Sequence, residues 1–203
     1  IAGQLVPLGE KPMLTPEMTE GFTRAMLDEK ETEDFVLHKE IDFSFSYKDK
    51  LRFRGNAYYQ RGRVGCALRL IPYSIRTLEE LSLPPILAEF ARKKQGFFLV
   101  VGPTGHGKST TLAALVDLIN HERAEHILTI EDPIEYIFTQ DRSIVNQREI
   151  HTDTEGFHRA LRSAFRQDVN VAMIGEMRDP ETISTAVTAA ETGHLIFSSL
   201  HTN

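Results

Sequence analysis

Hydrophobic residues follow two different spacings along the amino-terminal part of the chain. Residues 15–16 are Thr-Pro, an N-cap and a proline at the first helical position, and apolar residues recur every three or four positions over 18–26. This pattern predicts one short helix. Over 41–47 the period changes to two, and after Lys-Asp-Lys at 48–50 the alternation resumes from Leu51. Such alternation predicts a hairpin with one face toward solvent.

A third alternating run, at residues 64–70, completes this part of the chain. We therefore expect residues 1–71 to form a small α+β domain, an antiparallel sheet that carries a helix. Residues 72–78 are the expected linker and hinge. Residues 79–203 are the expected second domain.

The segment around residue 80 contains helix signals interrupted by prolines. Thr77 and Glu80 have the spacing of a capping box, which predicts a short helix. The prolines at 84–85 should end that helix, and residues 86–94 should form the next one.

After Gly96, short apolar runs alternate with helical patterns. This alternation predicts an α/β fold in which helices cover both faces of a parallel sheet. The predicted strands cover residues 97–101, 127–130, 169–174 and 194–200, and the predicted helices cover 109–120, 157–167 and 180–191.

Composition excludes several classes of protein. Of the 203 residues, 41% are hydrophobic and 26% are charged, which is ordinary for globular domains, and the formal net charge is −6. That acidic balance disfavours a protein that coats nucleic acid. No apolar stretch approaches the roughly 20 residues that span a bilayer, so we expect no transmembrane segment and only peripheral membrane contact.

One glycine-rich segment carries the clearest chemical signal. Residues 102–109, Gly-Pro-Thr-Gly-His-Gly-Lys-Ser, match the pattern G-x-x-x-x-G-K-[ST], with a predicted strand before them and a predicted helix after them. Backbone N–H groups of such a loop surround phosphate oxygens, the lysine adds a positive charge and the serine hydroxyl binds Mg²⁺. The predicted phosphate-binding residues are Gly102, Pro103, Thr104, Gly105, His106, Gly107, Lys108, Ser109 and Thr110.

Carboxylates and histidines follow the other predicted strands, and ligands of open α/β sheets bind beyond the carboxyl ends of strands. Taken alone, each carboxylate could equally be a solvated or helix-capping group. A histidine at such a position is more often a hydrogen-bonded structural residue than a catalytic one. Beside a phosphate-binding loop, a role for at least one carboxylate is the better interpretation. The candidates are Glu131 and Glu135 after residue 130, Glu176 after residue 174, and His194 and His201 at the two ends of the last strand.

Four sequence boxes follow one another along the second predicted domain: GPTGHGKST at 102–110, TIEDPIEY at 129–136, MIGEMRDPET at 173–182 and TGHLIFSSLHTN at 192–203. In this order they resemble the Walker A, Asp box, atypical Walker B and His box of the secretion ATPase superfamily of type II and type IV machines, and within it the type IV pilus retraction ATPases. The last three boxes are unusual outside this superfamily. FRGNAYYQ and LRLIP, within residues 53–72, are similar to the family's amino-terminal domain.

The resemblance implies a PAS-like amino-terminal domain, joined by a flexible linker to a RecA-like P-loop ATPase domain. Because the chain stops at the His box, we expect that domain to be incomplete at its carboxyl end. The resemblance further implies that Glu135 is the general base that orients the lytic water and that Glu131 is its acidic neighbour near the metal. Glu176 is the implied Walker B acid, which would act with Ser109 on Mg²⁺.

Other residues are assigned roles by the resemblance alone. His194 and His201 would respond to the γ-phosphate of ATP. Arginines of the amino-terminal domain and linker would reach nucleotide phosphates across domain and subunit boundaries, although each could equally lie on a solvated strand face. The candidate arginines are Arg54, Arg69 and Arg76.

The implied activity is ATP hydrolysis that powers retraction of type IV pili and twitching motility. The implied assembly is a cytoplasmic homo-hexamer, peripheral to the inner membrane, that contacts a pilus platform protein there and binds no nucleic acid. Three alternatives stay open: a pilus-extension or type II secretion ATPase, a RecA-like nucleic-acid translocase, and a nucleotide-binding scaffold without turnover. The residues at 56–60 and 175–178 favour retraction among these.

Overall fold

The computed structural model describes residue 9 and residues 13–48, 51–71 and 74–202. Positions 49 and 50 of the predicted turn, 72 and 73 of the predicted linker, and 203 of the His box lie outside the described residues. The helices are α1 (Pro16–Met26), α2 (Glu29–His38), α3 (Ile86–Ala91), α4 (Lys108–Glu122), α5 (Phe157–Ala164) and α6 (Pro180–Glu191). The strands are β1 (Glu40–Tyr47), β2 (Leu51–Gln60), β3 (Arg63–Ile71), β4 (Gly96–Val101), β5 (His126–Glu131), β6 (Ile144–Glu149), β7 (Val171–Ile174) and β8 (Leu195–Leu200).

The chain divides into two compact units, residues 1–70 and 71–203. The first unit contains α1, α2 and a three-stranded sheet in the order β1-β2-β3, in which β1 and β2 are antiparallel. Arg61 and Gly62, at φ angles of 51° and 75°, connect β2 to β3, a geometry typical of two-residue hairpin turns. Phe35 of α2 packs with Phe43 and Ala57 of the sheet in the core of this unit.

The predicted helix at the start of the chain is present as α1, where the Thr15 hydroxyl accepts a hydrogen bond from the Met18 N–H at 3.2 Å. The next helix, α2, was not predicted, because most of its residues are polar. Its signal was the capping box that Asp28 and Glu31 form, with bonds of 2.7 and 2.9 Å.

Residues 77–82 do not form the predicted helix. The capping-box bonds between Thr77 and Glu80 are present, at 2.9 and 3.2 Å. The chain then makes a single turn and reaches Ser82 in the left-handed region, at φ 54°, where helical geometry ends. The motif therefore stabilises one turn only.

Some boundaries in the second unit also differ from the predicted ones. The strand predicted over 169–174 begins at Val171, because Asp168 turns the chain at φ 55° and the Asn170 side chain accepts the His126 N–H at 2.8 Å. The helix predicted over 86–94 ends at Ala91, the one predicted over 157–167 ends at Ala164, and the remaining boundaries differ by no more than two residues. Strand β6 was not predicted, because its residues form no sustained apolar run.

The second unit is an α/β fold, as the alternation of apolar runs predicted. Its five strands are all parallel and lie in the order β4-β8-β7-β5-β6. Leu115 and Ile119 of α4 pack against one face of the sheet, and Leu161 of α5 and Ala186 of α6 pack against the other. Since the strands are parallel, the segments that follow β4, β5, β7 and β8 meet at one edge of the sheet.

Among the helices of the described residues, none combines the length and the apolar character that a bilayer span requires.

Candidate functional site

The glycine-rich loop leads from β4 directly into α4. Gly107 is the N-cap of this 15-residue helix. Because glycine has no side chain that could accept a hydrogen bond from the first N–H groups of the helix, these groups are available to a ligand in the loop. Gly105 and Gly107 have φ angles of 80° and 82°, which glycine adopts far more readily than other residues. A Cβ added at either position would meet nothing within 4 Å, so a ligand can approach this backbone closely.

Lys108 directs its ammonium group into this loop. Its side chain is buried, and its Nζ donates hydrogen bonds to the carbonyl oxygens of Gly102 and Pro103 at 2.9 and 3.0 Å. A buried cation held by carbonyl groups, without a carboxylate partner among these bonds, is well suited to exchange those contacts for phosphate oxygens. The loop residues therefore fit a polyphosphate.

Glu131, at the end of β5, is a buried carboxyl group. It accepts hydrogen bonds from the Thr129 hydroxyl at 2.7 Å, from the Gln147 amide at 3.3 Å and from the Glu135 N–H at 3.3 Å. Burial raises the pKa of Glu131 to about 7, although the three hydrogen bonds oppose the shift. At neutral pH this carboxyl group can therefore hold or release a proton.

Glu135 lies on the segment that follows β5, with its side chain exposed. The next residue, Tyr136, forms a hydrogen bond of 2.9 Å between its hydroxyl and that of Thr110 in the first turn of α4. This contact attaches the segment to the helix that also carries Lys108 and Ser109. The carboxylate of Glu135 thus belongs to the same edge as the loop.

Glu176 follows β7 after one glycine, Gly175. A Cβ at Gly175 would lie 3.4 Å from the backbone oxygen of Ile130 and 3.5 Å from the Cα of Glu131, which is ordinary van der Waals contact with the end of β5. The Ser199 hydroxyl, in β8, donates to the Gly175 carbonyl at 2.7 Å. These contacts determine where the Glu176 side chain begins.

His201 connects Glu176 to the glycine-rich loop. Its Nε2 lies 3.4 Å from Glu176 Oε2, and its Nδ1 lies 3.3 Å from the Thr104 hydroxyl. The other carboxylate oxygen of Glu176 pairs with Arg178 at 2.5 Å. A change in the contacts of the loop can therefore reach the carboxylate through the imidazole ring.

The structure does not bring His194 to this edge, so the γ-phosphate contact expected of it is not supported within this unit. The His194 carbonyl accepts the N–H of Gly96, at the start of β4, whereas the loop begins at the other end of that strand. The His194 Nδ1 lies 3.1 Å from the Ala189 carbonyl oxygen, and its ring packs edge to face on Phe165 at 5.6 Å. These are the contacts of a structural histidine.

The three arginine candidates occupy separate positions. Arg54 is half-buried on β2 and Arg69 is exposed on β3, both in the first unit, and Arg76 is exposed at the start of the second unit. Their contact with nucleotide phosphates stays a prediction.

The donor set at this edge suits Mg²⁺ better than a transition metal. In the described part of the chain, no group of three or more His, Cys, Asp or Glu side chains is arranged to hold a metal ion. Mg²⁺ needs few protein ligands, because waters and substrate phosphates complete its coordination. Ser109 and Glu176 are the residues that would hold it.

Sequence reasoning missed several polar residues of this edge. Thr104 was named only as a loop residue, and Tyr136 and Gln147 were not named as site residues. Tyr136 stands within the Asp box, so its place in the motif was a signal. Gln147 had no such signal, because its strand has no sustained apolar run.

A family model described as "Type II/IV secretion system protein" matches residues 67–203. The chain is 47% identical over 191 residues to the "Type IV pilus retractation ATPase PilT" of Pseudomonas aeruginosa, an alignment that covers 94% of this chain and 56% of that protein. It is 45% identical to a "Twitching motility protein" of Neisseria gonorrhoeae, with 94% of this chain and 51% of that protein covered.

Among solved structures, the chain is similar to one described as "Crystal Structure of the Pilus Retraction Motor PilT and Bound ADP". The TM-score is 0.96 at 49% identity, and the match covers 100% of this chain and 59% of that one. The chain thus spans little more than half the length of the relatives that it matches.

Proposed function

Because the chain belongs to the type II/IV secretion system protein family, we propose that it binds ATP and Mg²⁺ and hydrolyses the nucleotide to ADP and phosphate. One observation carries this proposal: the glycine-rich loop, with the buried ammonium of Lys108, shares one sheet edge with the carboxylates of Glu135 and Glu176. A phosphate site alone would account for binding. The carboxylates beside it account for turnover.

The residues of this edge divide the chemistry among them. The loop N–H groups and Lys108 neutralise the charge of the phosphate oxygens, and this stabilisation grows as charge develops in the transition state. Mg²⁺, when bound, supplies further positive charge to the β- and γ-phosphates. The exposed carboxylate of Glu135 accepts a hydrogen bond from the attacking water and orients it.

His201 is placed to respond to a γ-phosphate bound in the loop. Its Nδ1 contacts Thr104 of the loop and its Nε2 contacts the carboxylate of Glu176. A γ-phosphate in the loop would compete for the Thr104 hydroxyl and so move the ring. Loss of the phosphate would restore the present contact.

At the level of the assembly, we propose a homo-hexameric motor that powers pilus retraction and twitching motility at the inner membrane, with a platform protein as partner. The name of the P. aeruginosa relative supports retraction, and the name of the N. gonorrhoeae relative supports twitching motility. Arg54, Arg69 and Arg76 are proposed to complete the site across domain or subunit boundaries. Restored twitching in a strain that lacks its own retraction ATPase tests this level.

The proposal is tested by substitution of Glu135 in the full-length protein. Glu135→Ala should lower kcat by about 100-fold or more, as loss of a general base does, while the Kd for Mg·ATP stays within about threefold. Phosphate release and isothermal titration calorimetry measure the two quantities. Glu191→Gln, an exposed change at the far edge of the sheet, should leave both unchanged.

Retained turnover in Glu135→Ala would refute the assignment of the base. A wild-type protein that binds nucleotide but releases no phosphate would instead be a nucleotide-binding scaffold, and the enzymatic proposal would be wrong.

A further inference from the structure

The segment from 132 to 138, which carries Glu135, lies outside the helices and strands. Several of its backbone groups bond to side chains. The N–H of Ile134 donates to Glu149, the N–H of Glu135 donates to Glu131, and the N–H of Phe138 donates to Gln147. The position of this segment therefore depends on those side chains.

Gln147 bonds to the carboxyl-terminal half of the segment through both the oxygen and the nitrogen of its side-chain amide. Its Oε1 accepts the Phe138 N–H at 2.9 Å, and its Nε2 donates to the Tyr136 carbonyl at 2.8 Å and to Glu131 Oε1 at 3.3 Å. A primary amide presents a donor and an acceptor side by side, which a carboxylate or a hydrocarbon chain of similar shape does not. The amide is therefore specific to this arrangement.

Glu149 holds the other half. Its Oε2 accepts the Ile134 N–H at 3.0 Å from a buried position, where loss of the acceptor would leave the N–H without a partner at the full cost of its desolvation. The N–H of Glu149 itself donates to the Asp153 carboxylate at 2.8 Å, which anchors the end of β6. Glu135 thus lies between two points of attachment.

The register of the sheet explains why Gln147 and Glu149 of β6 reach the segment 132–138. β6 pairs in parallel with β5, so that Gln147 lies beside Thr129 and Glu149 beside Glu131. Residues two apart on a strand share a face, so Val145, Gln147 and Glu149 face the same way. Val145 belongs to the core that contains α4. Gln147 and Glu149 are thus directed to the side of the sheet where the segment 132–138 lies.

We propose that Gln147 and Glu149 are positioning residues for Glu135. They hold the segment so that the Glu135 carboxylate stays fixed relative to the first turn of α4, to which Tyr136 attaches it through Thr110. The proposal rests on the proposed function, in which Glu135 orients the lytic water. Displacement of a catalytic group by about 1 Å can cost on the order of 100-fold in rate, so loss of this support should reduce kcat more than binding.

Gln147→Met keeps the length of the side chain and removes its donor and acceptor. In the full-length protein we expect kcat to fall by about 10- to 100-fold, with the Kd for Mg·ADP and the KM for ATP within about threefold. Asn146→Leu is the matched control, because it removes an amide from the opposite face of the same strand and should leave kcat within about threefold. An unchanged kcat in Gln147→Met overturns the proposal, as does a loss of binding equal to the loss of kcat.

Glu149 allows a rescue test. Glu149→Gln keeps an oxygen that accepts the Ile134 N–H, whereas Glu149→Met does not. We therefore expect Glu149→Gln to retain at least about tenfold more kcat than Glu149→Met, a range set by a hydrogen bond to a positioning group. Equal kcat values in the two variants contradict a role for this bond.

Amide hydrogen exchange separates this proposal from the proposed function, because it does not depend on turnover. Gln147→Met should accelerate exchange over residues 134–138 by at least about tenfold and leave α4 unchanged, since the loss is local. Unchanged exchange overturns the proposal. Faster exchange with full kcat overturns the catalytic part of it, and a wild-type protein without turnover overturns the proposed function itself.

Discussion

At the scale of single residues, the environment of a side chain decides its chemistry more than its type. Glu131 and Glu135 are four positions apart in one motif, yet one carboxyl group is buried and the other is exposed. Burial disfavours the ionised form and raises the pKa of Glu131 to about 7. Glu135 lies in solvent, where water can reach it. The same residue type thus occupies two different environments within one motif.

The first prediction concerns the pH dependence of stability. The pKa of Glu131 is about 7 in the folded protein and 4.5 for a glutamate in water, as in the unfolded chain, so the folded state binds this proton more tightly. Its contribution is therefore fully present below pH 4.5 and is lost as the pH rises toward 7, by up to about 3 kcal/mol. Glu131→Gln should lack this loss. Urea unfolding of both proteins at pH 5 and 7.5, without nucleotide or metal, measures the difference.

Carboxylates distant from residue 131 keep the same surroundings in the wild type and in Glu131→Gln, so their effects cancel in this comparison. Glu191→Gln serves as the control and should follow the wild type. A stability difference between wild type and Glu131→Gln that is the same at both pH values would show that Glu131 ionises normally.

The second prediction concerns Lys108. Its Nζ donates to two backbone carbonyl oxygens, those of Gly102 and Pro103, at 2.9 and 3.0 Å. Because these acceptors are uncharged, the positive charge of the ammonium group is available to phosphate. Lys108→Ala should raise the Kd for Mg·ADP by about 10- to 100-fold, the worth of a charged hydrogen bond. Titration calorimetry measures it, with the exposed Lys94→Ala as the control. Equal affinities would mean that the loop does not bind through this lysine.

At the scale of elements, two glycines of the first unit lie in surroundings for which we expect a change to alanine to have opposite effects on stability. Gly55, in β2, lies beneath the ring of Phe43, and a Cβ there would come within 2.3 Å of it. Gly21 lies exposed in the middle of α1, and a Cβ there would meet nothing within 4 Å. The first glycine makes room for a core side chain. The second only weakens a helix.

The third prediction follows from that contrast. Gly55→Ala should destabilise the protein by about 1–3 kcal/mol, because the buried ring must move. Gly21→Ala should stabilise it by about 0.5–1 kcal/mol, because alanine favours the helix. Chemical unfolding monitored by circular dichroism measures both, and each variant is the control for the other. Changes of the same sign would contradict the packing described for this unit.

At the scale of the whole molecule, the groups that converge on the phosphate-binding loop all belong to residues 71–203. That unit has an apolar core on each face of its sheet, separate from the core of the first unit, so we expect it to fold by itself. Arg54 and Arg69 belong to the first unit. Binding and any contribution from these arginines can therefore be separated.

The fourth prediction is that a fragment of residues 71–203 folds and binds Mg·ADP with a Kd within about tenfold of that of the whole protein, a difference of roughly 1.4 kcal/mol. Circular dichroism and calorimetry measure folding and binding. The fragment with Lys108→Ala is the control for specific binding. A folded fragment without detectable affinity would mean that residues of the first unit are required to bind nucleotide.

Sequence alone determined the features that depend on neighbours in the chain. The pattern at 102–109 predicted the loop, because successive N–H groups and a helix start make a phosphate site by local geometry. Uninterrupted apolar runs predicted four of the five parallel strands, all but β6, and hence the α/β class. The resemblance carried by the four boxes is confirmed by the comparisons with known proteins.

Only the tertiary structure decided which side chains meet. Both histidines bracket β8, but the direction of that strand places His201 beside Glu176 and His194 at the other edge. Gln147 supports a segment that precedes it by nine or more residues, and a polar strand has no periodicity to indicate this. Burial gives Glu131 its pKa, and burial depends on what packs around a residue. Such contacts join residues distant in the chain, so no local pattern records them.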